Sequence, residues 1–139
     1  MADYSITASS VAWVSGSPAT LSPAVANEAM TAGTPFFFNT SISNQANKSD
    51  ANVAGLDKVD GIVLTQNVAI GQYFAYAPAG ATINPGATMA AADVVVLSNN
   101  TGRICPVADL ASGSNLTIIG YATGTQSLYL LTLQSSVTR

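Results

Sequence analysis

The chain contains no histidine, a single cysteine and very little charge. Each shortage closes off a class of function. Without histidine there is no His-based catalytic triad, no usual general base and none of the commonest transition-metal ligand. Cys105 alone cannot form an internal disulfide, so the cysteine count does not point to an oxidising compartment. A nucleophilic cysteine needs a base or cation to hold its thiolate. Cys105 instead lies in an apolar run, Ile104 to Val107, and reads as a small buried hydrophobe.

Charged residues make up 8% of the chain against about 25% in an average soluble domain. Four basic residues (Lys48, Lys58, Arg103 and Arg139) and a net charge of -3 cannot neutralise a run of phosphates, so no nucleic-acid partner is expected. No apolar run approaches the roughly 20 residues needed to cross a bilayer, and no membrane partner is expected. The opening MADYSITASS has neither the basic nor the apolar part of a secretion signal, which makes the cytoplasm the expected place of synthesis. The glycines form no phosphate-cradling signature, and no acid/base pair can be named, so an enzyme is not expected and no cofactor or metal is called. Four Asn-x-Ser/Thr sites, at Asn39, Asn47, Asn99 and Asn115, are what so much Asn, Ser and Thr produces by chance.

What remains is apolar and bland. Hydrophobic residues reach 48%, with 23 alanines among 139 residues, which leaves enough larger side chains for one modest core. From residue 34 onward short runs rich in β-branched and aromatic residues alternate with Gly, Asn, Pro and Ser. They place strands at 35–39, 61–65, 72–77, 82–83, 93–98, 103–106, 116–122 and 127–133, with a tight hairpin at 123–126 joining the last two. Many short strands at even spacing predict an all-β, antiparallel β-sandwich of jelly-roll type, with a partly open barrel as the alternative. Residues 44–53 read as a polar loop, in which Asp50 and the nearby Asp57 and Asp60 are solvated acids rather than cation ligands.

Residues 1–34 look different. Ser22, Pro23 and Gly33 punctuate a segment compatible with a short helix or an extended stretch. The segment has few large apolar side chains, and it is expected to be an extended arm ordered by a partner, with residues 35–139 forming the single β domain. Tyr4, Trp13 and Val14 are its candidate anchors, because buried aromatics dominate binding hot spots. In Phe36-Phe37-Phe38 the alternation of a strand points Phe37 away from its neighbours, which makes it the fourth candidate interface residue.

The run Gly102-Arg103-Ile104-Cys105-Pro106-Val107-Ala108-Asp109-Leu110-Ala111-Ser112-Gly113 is followed by Leu116-Thr117-Ile118-Ile119-Gly120-Tyr121-Ala122-Thr123 and Leu128-Tyr129-Leu130. Together these resemble the capsid decoration, or cement, proteins of tailed bacteriophages. Gly61-Ile62-Val63-Leu64, Ile70-Gly71-Gln72 and Val94-Val95-Val96-Leu97-Ser98 resemble the same family's spaced strand-and-turn elements, over roughly residues 30 to 135. The resemblance implies a protein on the outer surface of the virion that binds the major capsid protein of an icosahedral shell and clamps neighbouring subunits. It also implies a homo-oligomer, dimer or trimer, at capsid symmetry sites. A rival expectation is a carbohydrate-binding or host-attachment module on the virion or tail, with Tyr73, Tyr76, Tyr121 and Tyr129 stacking on sugars.

Overall fold

The computed structural model describes residues 3–138. Two antiparallel sheets carry eleven strands: β1 (Ala12–Gly16), β2 (Thr20–Leu21), β3 (Pro35–Asn39), β4 (Gln45–Lys48), β5 (Gly61–Val63), β6 (Ala75–Ala77), β7 (Ala81–Asn84), β8 (Val94–Leu97), β9 (Ile104–Pro106), β10 (Asn115–Gly124) and β11 (Ser127–Thr138). The first sheet has the order β1-β7-β11-β10-β8-β9 and the second the order β2-β6-β5-β3-β4. The architecture is a β-sandwich and not a closed barrel. Apart from β1, the first half of the chain makes one sheet and the second half the other, so the strands do not alternate between sheets as in a jelly roll.

The core follows from period-two patterning. Ile62 and Ala77 face each other in register on the second sheet, and Ile83, Leu128, Val95 and Ile119 come from the first; all pack into one buried cluster between the sheets. The neighbouring residues Val63 and Tyr76 point the opposite way, where water would meet a simpler sandwich. There they join Phe36, Phe74, Ala46, Met30 and Val68 in a second cluster. Phe36 is fully buried, with edge-on rings at 5.2 Å (Phe38), 5.0 Å (Phe74) and 5.1 Å (Tyr76). Each such ring pair adds roughly 0.5–1.5 kcal/mol beyond the area it buries.

The second cluster needs a lid, and residues 22–33 supply it. They form no helix. An isolated parallel bridge ties Ala26 to Ala46 and an antiparallel one ties Met30 to Val68. The alanine-rich face would have buried little as a helix, whereas extended backbone bonds directly to the strands beneath it.

Nor do residues 1–34 stand apart as an arm. β1 pairs with β7, and β2 pairs with β6, so the segment supplies one edge strand to each sheet. Upstream, the Tyr4 amide donates to the Ile104 carbonyl at 3.0 Å, and Tyr4 and Ile6 pack against the main core. The boundary expected at residue 34 therefore does not separate arm from domain. The expected loop at 44–53 also differs: Gln45–Lys48 is an edge strand beside β3. Asp50 is buried and accepts from the Asn52 amide at 2.8 Å and the Thr101 hydroxyl at 2.6 Å. Asp60 accepts from the Phe38 amide at 2.7 Å. These acids fasten loops to strands. Cys105 is buried in the main core, as its apolar neighbours suggested. No helix among the described residues is long and apolar enough to cross a membrane.

Gly120 marks a close backbone approach between the two longest strands of the first sheet. It is opposite Leu130 at a register shift in the β10–β11 pair, and a Cβ there would overlap the backbone carbonyl of Tyr129. Since backbone cannot move aside as a side-chain tip can, Gly120→Ala is expected to lower stability by about 3 kcal/mol, the upper part of the usual overpacking range. A urea denaturation midpoint unchanged from the parent would contradict this.

Candidate interface surface

β1 is exposed along its whole length. As a terminal strand it turns one row of backbone N–H and C=O groups outward, a template for pairing with another chain. Natural edges are usually blunted by lysine, proline or inward charge. Ala12-Trp13-Val14-Ser15-Gly16 has none of these, and its sole irregularity is the register shift between Trp13 and Ser15. Trp13 is 42% exposed and Val14 50%. The indole N–H donates to the Ser17 carbonyl at 2.8 Å. The one polar group of the ring is thereby satisfied within the chain, and what the ring offers outward is apolar surface. Further along the same connection, Leu21 on β2 is also exposed.

The other two candidates are elsewhere. Phe37 is buried at 2% exposure. Its register places it with Pro35 and Ile62 on the side of the second sheet turned toward the first, so it cannot meet a partner. Alternation separated Phe37 from Phe36 correctly; both faces of β3 turn out to be covered from within the molecule. Tyr4 is half-buried, and its hydroxyl donates to Asp93 Oδ2 at 2.9 Å. Asp93 also accepts from the Ala90 amide at 3.2 Å, so this carboxylate ties the N-terminal segment to the turn before β8. Tyr4 is a fastening inside the fold.

The four tyrosines do not share a face. Tyr76 is half-buried among Phe36, Phe38 and Phe74, and Tyr73 lies exposed in the 64–74 connection. Tyr121 and Tyr129 are cross-strand partners with ring centroids 5.4 Å apart. Val94 pairs with Tyr121 in register, so the three side chains form an apolar strip on the outer face of the first sheet. Leu21, Ile70 and Leu133 are exposed as well, which their place in the sequence does not reveal. No single-chain pattern separates an exposed leucine from a core one in a strand whose two faces are both apolar.

Neither a protein family model nor a curated protein matches the chain.

Burial first, and then the Asp93 hydrogen bond, push the Tyr4 phenol well above its ordinary value of 10.0. The folded state thus holds this proton more tightly than the unfolded chain does. The corresponding stability is complete below pH 10 and is lost as pH rises above it, where the unfolded phenol ionises first. Tyr4→Phe is expected to flatten the decline in denaturation midpoint between about pH 9 and about pH 11. An equally steep decline in the variant would remove Tyr4 as its source.

Proposed function

We propose that the chain is a structural decoration protein. In this reading it binds the outer surface of an icosahedral phage capsid and stabilises contacts between major capsid protein subunits. It acts by contact and not by chemistry. The observation that carries the reading is the β1 edge: five consecutive exposed residues without charge or proline, bearing Trp13 with its N–H already satisfied. Charge is depleted from the centres of protein interfaces and aromatics are enriched there, and an exposed edge adds main-chain hydrogen bonds to the apolar contact. The resemblance of the run from Gly102 to Leu130 to capsid decoration proteins is the reason a major capsid protein is proposed as the partner. Each copy would bury about 1,000–2,000 Å² at subunit junctions, and many modest contacts repeated over a shell raise its resistance to rupture. The protein belongs, on this reading, to the outside of the virion as a dimer or trimer.

The test compares particles carrying the protein with particles lacking it. Decorated shells are expected to survive heating that breaks bare ones. Trp13→Ser and, separately, Val14→Asp are expected to leave the isolated protein folded and to reduce decoration by about tenfold or more, the effect of losing one interface anchor. Both side chains are largely outside the core, so the fold has little to lose. Equal survival of bare and decorated shells would refute the clamp, and full decoration by both variants would refute the β1 edge.

A second reading rests on the Tyr121–Tyr129 pair and Val94, which offer a flat apolar strip of the kind sugar rings stack upon. In that reading the chain is a carbohydrate-binding or attachment module on the virion or tail. A glycan array on which the parent binds and Tyr121→Ala does not would favour it; an empty array would dispose of it.

A further inference from the structure

Each sheet ends in two edge strands, and the fold treats the four edges differently. β9 is closed on its outer side: the Tyr4 amide donates to the Ile104 carbonyl at 3.0 Å, and Pro106 has no N–H to offer. β4 is closed by residues 25–28. The Ala46 amide donates to the Val25 carbonyl at 3.0 Å, the Ala46 carbonyl accepts from the Asn27 amide at 2.8 Å, and the Lys48 amide donates to Glu28 at 2.8 Å. A cleft of about 360 Å³ lies at this closed rim, lined in part by Tyr4, Thr34, Lys48 and Arg103. β2 has only two residues and stands between Pro18 and Pro23. β1 has five residues, and among the described residues no backbone group of 12–16 bonds outside the β1–β7 pair. It is the one edge left open.

The open edge is also an open end of the core. Residues 17–19 alone join β1 to β2, so both edges stand at one rim. Trp13 is in register with Ile83, and Leu21 with Ala75, which shares its face with the core residue Ala77. Residues in register lie on the same face, so Trp13 and Leu21 belong to the faces that the two sheets turn toward each other. They are nevertheless 42% and 68% exposed, because no strand follows β1 or β2. Both inner layers stop there with an apolar residue uncovered.

We infer that β1 pairs with the β1 of a second copy, antiparallel across a two-fold axis, so that two six-stranded sheets become one of twelve. The inference rests on the reading of β1 as an interface edge and names its occupant. An axis perpendicular to the sheet keeps each face on its own side. The two second sheets then meet on one side of the joined sheet, and Trp13 and Leu21 of both copies close the rim between them. A second copy fits because it brings the same unpaired row of N–H and C=O groups and the same uncovered apolar rim. Near a two-fold axis every charge meets itself. None lies within 4–27 or 61–92, the segments that hold β1, β2 and the strands beside them. A strand of five residues is about 17 Å long and two packed sheets are about 20 Å deep, so the pair buries roughly 700–1,000 Å² in total, at the low end for a specific interface. The dimer is therefore reversible, with half-association at about 10–100 µM.

Trp13 is the chain's sole tryptophan and reports on the pairing directly. Sedimentation equilibrium of the full chain between about 1 µM and about 1 mM is expected to show a monomer–dimer transition. Over the same range Trp13 emission is expected to move to shorter wavelength, and amide exchange in 12–16 to slow. Ser15→Lys sets two like charges near the axis and is expected to weaken association by about tenfold or more, with the parent's circular dichroism retained. Trp13→Ser removes two anchors per dimer and is expected to weaken it by about a hundredfold. Val94→Ser, on the outer face, is expected to leave it unchanged. A chain still monomeric at about 1 mM, a trimer or larger assembly, or undiminished association in both edge variants would each overturn the proposal. A monomer that decorates shells and needs Trp13 to do so would overturn the pairing, assign the edge to the shell and leave the capsid reading standing. A dimer that decorates no shell would uphold the pairing and remove the capsid reading.

Discussion

Two neighbouring residues, Ile62 and Val63, impose the constraint on which the molecule depends. Both are buried, and in a strand they point in opposite directions. The sheet that contains them has to be covered twice. The other sheet covers one side, through Ile83, Leu128 and Leu130. Among the described residues the other side has no third sheet and no helix to cover it. Residues 22–33 and 64–74 do so instead, with backbone bridges at Ala26 and Met30 and a knot of rings centred on Phe36. A chain so rich in alanine, with only 44 or so larger apolar residues to distribute, cannot afford a thick second layer. Thin extended segments, hydrogen-bonded to the strands they cover, satisfy their own polar backbone while excluding water.

This two-sided burial also explains the surface. Leu21, Trp13 and Val14 sit where the chain passes from one sheet to the other, at the rim, beyond the reach of either cluster. Leu21 lies on an edge strand of the second sheet, and Trp13 and Val14 on an edge strand of the first, whose outer face also leaves Val94 and Tyr121 exposed. The features that invite a partner and those that hold the fold together are therefore separated in space. Trp13 and Val14 face outward, while Tyr4 and Phe37 are held inside.

The strands from 35–39 onward were legible in the sequence because each has β-branched or aromatic residues between turn formers. All eight appear, within a residue or two at most ends and further at the start of β6 and the end of β11. The three missed strands share a cause. β1, β2 and β4 each lie at a sheet edge, where pairing partners and not intrinsic propensity decide the conformation. Asp50 and Asp60 read as solvated acids because sequence spacing cannot reveal the Thr101 hydroxyl, 51 residues away, or the Phe38 amide, 22 residues away. Tyr4 was misplaced for the same reason, as its partner Asp93 is 89 residues distant. The cleft that Tyr4, Thr34, Lys48 and Arg103 line is wholly a product of tertiary structure. By contrast, the absence of any charge within 12–16 was visible from the start, and it is the feature of the site that the fold leaves unaltered.

The bonds from Asp3 and Tyr4 to Ser98, Asp93 and Ile104 have a consequence in time. A ribosome releases the first residues of this chain long before the last strands exist. β1 must wait for β7, and the segment ahead of it must wait for β8 and β9. Contacts of such sequence separation carry a large loop-closure cost and form late. The opening residues therefore remain without their partners through most of synthesis and settle only when the C-terminal half has emerged. Since β1 acquires its shape in that final step, its outward edge is a property of finished molecules, and an incomplete chain has no such edge to offer.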